Sequence, residues 1–102
     1  MNSVESQVEH LFYKEGIQVS CTDRPWYNNP FGVHRTFYGM EVHKKDTGFV
    51  ADQLTRLGIQ YNILDGRYKN TKGCWSHKSF NFIELPNPAE AYQAIVEGGI
   101  IL

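Results

Sequence analysis

The sequence predicts an α+β domain: two ββα units sharing one mostly antiparallel sheet, helices on one face, and a pseudo-twofold axis relating the halves. Three observations predict it. First, the stretch Gly32-Val33-His34-Arg35-Thr36-Phe37 is echoed by His77-Lys78-Ser79-Phe80, 43 residues on. After each copy come three residues, then Glu (Glu41, Glu84) and then an aliphatic (Val42, Leu85). Second, Gly16-Ile17-Gln18 recurs as Gly58-Ile59-Gln60, and Gly58-Ile59 recurs as Gly99-Ile100. Spacings this constant are the mark of an internal duplication. Third, strand-like and helix-like periodicities alternate along the chain. The 102 residues fit one domain, 1–102. It divides into an N-terminal helix over 3–15, a first repeat over 16–57 and a second over 58–99. A repeat this short cannot bury a core alone, so the two share one sheet.

Residues 3–15 read as a helix capped by Ser3, with Val4, Val8, Leu11 and Phe12 on one stripe and Gly16 at its end. Residues 17–21 alternate as a short strand. Residues 22–31 read as a loop on their two Pro, two Asn and one Asp, yet they carry Arg24, Trp26, Tyr27 and Phe31. Residues 33–43 read as a strand. A helix is expected over 46–57, capped by Asp46 or Thr47 and stopped by Gly58. Residues 59–64 form the matching strand, and Asp65-Gly66 opens a turn. A second loop over 67–75 carries Arg67, Tyr68, Lys69, Lys72 and Trp75. Residues 77–85 are the last long strand. Asn87-Pro88-Ala89-Glu90 is a helix start with a capping box, and that helix runs to Val96. Residues 100–102 offer a short terminal strand.

Charge is close to balance, 10 Lys+Arg against 11 Asp+Glu. This excludes bulk electrostatic binding to nucleic acid and leaves room for a local cationic patch. Cys21 and Cys74 form no Cys-x-x-Cys and no disulfide framework, so they read as reduced thiols of a cytoplasmic protein. No signal peptide and no membrane-spanning run is visible. The sequence shows no cofactor motif, no phosphate-cradling Gly loop and no Gly-x-Ser-x-Gly elbow.

Parity along the strands defines two faces. With the helices placed on the Phe37, Phe80 and Phe82 face, His34, Thr36, His77 and Ser79 lie on the open one. Two His–hydroxyl pairs across a shared groove would suit a phosphate, one imidazole acting as general base and the other as general acid. His34-Arg35-Thr36-Phe37 and His77-Lys78-Ser79-Phe80 resemble the doubled His-x-Thr/Ser signature of the two-histidine phosphoesterases. The resemblance implies a duplicated fold with both motifs facing one cleft. It also implies activity on 2′,3′-cyclic phosphates or related phosphodiesters of RNA and nucleotides. His34 and His77 would then be the acid/base pair, and Thr36 and Ser79 the phosphate-binding hydroxyls.

The preferred expectation is non-catalytic. Both loops are expected at the same end of the sheet as the histidines. They gather Arg24, Trp26, Tyr27, Arg67, Tyr68, Lys69, Lys72 and Trp75, with Arg35 and Lys78 beside them. Such a cationic-aromatic surface suits a protein partner or an anionic nucleotide or RNA ligand. The chain then reads as a small binding or inhibitor protein of the kind carried by phages and mobile elements. A homodimer through sheet edges and Ile100-Ile101-Leu102 is compatible with this. Cys74-x-x-His77 is a lone metal-ligand pair without a second, too little for a zinc site.

Overall fold

The computed structural model describes residues 3–28, 33–64 and 79–102, with 24–28 and 33–35 described by their backbone. The elements run α1 (Val4–Tyr13), β1 (Val19–Asn28), β2 (Val33–His43), α2 (Lys44–Arg56), β3 (Asn62–Leu64), β4 (Phe80–Glu84) and α3 (Pro88–Gly98). The fold is α+β. One antiparallel sheet has the order β1-β2-β4-β3, so β2 and β4 are central and β1 and β3 form the edges.

The helices form where the apolar stripes predict. Ser3 caps α1 by accepting the N–H of Ser6, and Val8 and Phe12 are its fully buried residues. Gly16 ends that turn at φ 77°, a conformation that strains any residue with a Cβ. Helix α2 begins two residues earlier than expected. His43 holds the cap position, and the Thr47 hydroxyl donates back to the His43 carbonyl instead of capping. Pro88 opens α3, but Asn87 makes no side-chain cap bond, so the expected capping box does not form. The strand expected over 59–64 is confined to Asn62–Leu64. The C-terminal residues are not a strand. Gln53 of α2 reaches across to hold them: its side-chain amide donates to the Ile101 carbonyl, and its oxygen accepts the Ile101 N–H at 3.1 Å.

The helices cover the opposite sheet face from the one expected. Val19, Met40, Val42, Ile83 and Leu85 pack with Val8, Phe12, Val50, Leu54, Tyr92 and Ile95 into one core. The physical reason lies in the neighbours of the phenylalanines. Register pairs Phe82 with Glu41 and places Glu84 beside Gly39 and Asn62, so the Phe face carries two carboxylates. Helices laid there would have to desolvate both. On the aliphatic face β2 and β4 carry none, and Asp23 of β1 lies opposite the exposed Tyr38, outside the core. Phe82 is nonetheless fully buried, and Phe80 stacks on His43 with ring centroids 4.2 Å apart.

Candidate functional site

A further departure from expectation concerns residues 22–31. Residues up to Asn28 are strand, not loop, because β1 runs to Asn28. Pro25 is what suggests a loop, and the sheet accommodates it because β1 is an edge strand. Hydrogen-bond parity shows how. The Cys21 N–H points away from β2, toward the Glu9 carboxylate at 2.8 Å. Pro25 lies four residues on and so points its nitrogen the same way, outward, where the sheet needs no donor.

β1 and β2 pair over their whole length, from Val19↔Val42 to Asn28↔Val33. β4 pairs only with Gly39–His43, and its line ends with the Leu85 N–H donating to the Tyr38 carbonyl at 2.8 Å. Among the described residues, Val33–Phe37 therefore pair with β1 alone. The hairpin continues past the sheet as a two-stranded arm of five to six residue pairs, roughly 17–20 Å on strand geometry. Its register sets Arg24 opposite Phe37, Trp26 opposite Arg35, Tyr27 opposite His34 and Pro25 opposite Thr36. Six residues singled out in the sequence, Arg24, Trp26, Tyr27, His34, Arg35 and Thr36, thus share one element.

Thr36 and Ser79, one from each kernel, do not share one site along the sheet. Ser79 lies at the other end of β2, where its carbonyl accepts the Lys44 N–H at 2.8 Å. Thr36 and Lys44 are eight positions apart, about 25 Å along an extended chain. The cause is direction: β2 and β4 are antiparallel, so the first residues of each strand sit at opposite ends of the pair. The flanks of the two loops separate for the same reason. Asn28 and Val33 stand at one end of β2, and Leu64 and Ser79 stand at the other. Arg67, Tyr68, Lys69, Lys72, Trp75, His77 and Lys78 lie outside the described residues.

The edges of the sheet differ in how they are finished. The outer edge of β1 is blocked at Cys21 by Glu9 and lacks a donor at Pro25. β3 offers three residues. The inner edge of β2 is different. The Tyr38 carbonyl points toward β4, so Thr36 and His34, of the same parity, point their backbone groups toward the same side. β4 does not extend that far, and among the described residues nothing meets those groups.

At the base of the arm a pocket of about 350 Å³ opens between α1, α3 and the hairpin, with Glu5, Cys21, Asp23, Tyr38 and Tyr92 in its wall. The Cys21 thiol is pushed from its ordinary 9.0 up to about 12, by burial first, then by the Glu9 carboxylate and, more weakly, Glu5, with a hydrogen bond to Tyr92 acting the other way. A thiol so poised is no nucleophile at neutral pH. The Tyr92 phenol is also pushed up, by burial first and by Cys21 next, and its hydroxyl donates to the Gly39 carbonyl at 2.9 Å. Sequence reasoning missed this node because its members come from three separate elements. Among the described residues no three His, Cys, Asp or Glu side chains stand together to hold a metal ion. No helix among them is long and apolar enough to cross a membrane. No family model matches the chain, nor does any curated protein or solved structure.

Proposed function

We propose that the chain is a small cytoplasmic binding or inhibitor protein that engages a protein partner through the β1–β2 arm. The observation that carries this is the arm itself: a two-stranded ribbon beyond the sheet, with Trp26 paired to Arg35 and Arg24 and Tyr27 nearby. A ribbon of two strands is marginal in water by itself. Trp, Tyr and Arg are the residues that dominate binding energies at interfaces. From Arg24 to Gly39 the chain carries two arginines and no carboxylate, which favours an acidic partner surface.

The two-histidine phosphoesterase reading needs both hydroxyl pairs on one phosphate. With Thr36 and Ser79 at opposite ends of β2, binding is the better-supported reading. The internal duplication belongs with the proposal too. Its spacing equates Met40 with Ile83, and these two are cross-strand partners at the centre of the sheet, which suits a twofold axis passing between them.

The test is quantitative affinity capture from cells, with wild type, the double variant Trp26→Ala/Arg35→Ala and the control Gln93→Ala run side by side. A protein held by wild type and control and lost from the double variant supports the reading. Identical captures from all three would refute it. A single-stranded RNA 12-mer bound by wild type and lost by the arm variant would reassign the partner class.

A further inference from the structure

We infer that the inner edge of β2 from His34 to Thr36 receives an extended acidic peptide from a protein partner, added as a strand in line with β4. The inference rests on the arm being the binding element and names what it binds.

The argument is one of backbone valence. Every strand edge carries a row of N–H and C=O groups that another strand can match, and folded proteins blunt the edges they do not use. Here the outer edge of β1 is blunted twice, by the Glu9 carboxylate on the Cys21 N–H and by Pro25. The edge of β3 is only three residues long. Among the described residues the inner edge of β2 meets neither device. Its groups at Tyr38, Met40 and Val42 face β4, and Tyr38 receives the last of those bonds from Leu85. Thr36 and His34 continue the same row with the same parity, about 7 Å apart on strand geometry. Directly after Leu85 comes Pro86, and the chain turns away into α3. The slot beyond Leu85 is thus the continuation of an existing strand line.

The shape and charge of the site choose the occupant. Main-chain bonding at alternate residues selects an extended peptide. A peptide running antiparallel to β2 would exchange N–H···O bonds in both directions with Thr36 and again with His34. Two arginines and no carboxylate between Arg24 and Gly39 select an acidic sequence. A second copy of this chain would bring its own arginines to the same edge, which disfavours arm-to-arm pairing.

The test uses a phage-displayed random 12-mer peptide library selected on the purified protein. Selected peptides should be net acidic and should bind as synthetic peptides. The deciding variant is Thr36→Pro. Its ring removes the outward N–H and obstructs an added strand, while the bonds of β2 to β1 run through Arg35 and Phe37 and stay intact. Affinity should fall at least tenfold on Thr36→Pro, with the melting temperature close to wild type. If Thr36→Pro does not fold, N-methylating the peptide at successive residues on wild type should give an alternating pattern of loss. Peptides that bind Thr36→Pro within twofold of wild type overturn strand addition. So does the absence of any selected peptide, or a self-association that Thr36→Pro abolishes. Loss on Trp26→Ala/Arg35→Ala with no loss on Thr36→Pro would leave the arm as the binding element and remove the added strand. Full binding by both variants would remove both.

Discussion

The Glu9 carboxylate accepts the backbone N–H of Cys21 at 2.8 Å, so a helix side chain closes one rung of an edge strand. The contact ties α1 to β1 and leaves the sheet one fewer place to add a strand. Glu9→Ala should expose that N–H to water. Its amide exchange should accelerate at least tenfold, and stability should fall by about 1–2 kcal/mol, the range for losing a charge-assisted bond. Unchanged exchange at Cys21 would mean the bond does not hold in solution.

Beside that bond sits a thiol raised to about 12. Below pH 9 it is protonated in the folded and the unfolded chain alike. Between 9 and about 12 the unfolded chain ionises there and the folded chain does not, so stability falls as pH rises through that window. Tyr92 is shifted in the same direction and adds to the alkaline loss. Urea midpoints taken from pH 8 to pH 11 should decline, and Cys21→Ala should flatten the decline. In a Cys74→Ser background, Cys21 should react with a thiol reagent at pH 8 far more slowly than free cysteine.

Gly39 is required by close approach. A Cβ there would collide with the carbonyl oxygen of Ile83, a backbone atom that cannot swing aside. Its own carbonyl takes the buried Tyr92 hydroxyl. Gly39→Ala should destabilise the fold by about 1–3 kcal/mol, and Tyr92→Phe by about 1 kcal/mol for the lost hydrogen bond. Chemical denaturation of each variant measures this. A neutral Gly39→Ala would contradict the β2–β4 register.

The C-terminal residues are held by side chains rather than by a strand. Gln53 meets both backbone groups of Ile101, and Arg56 donates to the Gly99 carbonyl at 2.6 Å. Gln53→Ala should free residues 100–102, seen as loss of Ile101 amide protection and of ordered NMR shifts there. Ile101 still protected in that variant would show that packing alone fixes the tail.

The helices were legible because their information is local. Val4, Val8, Leu11 and Phe12 repeat at helical spacing, and Gly16, Gly58 and Gly99 stand at turns with positive φ. What was not legible depends on neighbours in space. Pro25 reads as a loop residue until β1 is known to be an edge. Parity already sets Glu41 and Glu84 beside Phe37, Phe80 and Phe82, but three aromatic rings look like the core face until the helices are seen to pack on Met40, Val42, Ile83 and Leu85. Thr36 and Ser79 look like parts of one site until β2 and β4 are known to run antiparallel. The types of residue on the arm were readable from composition, but the arm was not. It exists because β4 stops while β1 and β2 continue, a difference in strand length that no local pattern encodes.

The most direct measurement is amide hydrogen exchange along β2 in the isolated protein, resolved residue by residue by NMR. An arm with an open inner edge predicts alternation. The amides of Arg35 and Phe37, bonded to β1, should exchange at least tenfold more slowly than those of His34 and Thr36, and Met40 and Val42, enclosed by β4, should be the slowest of all. Thr36 protected as strongly as Met40 would mean the edge is already filled, and the binding arm described here would not exist.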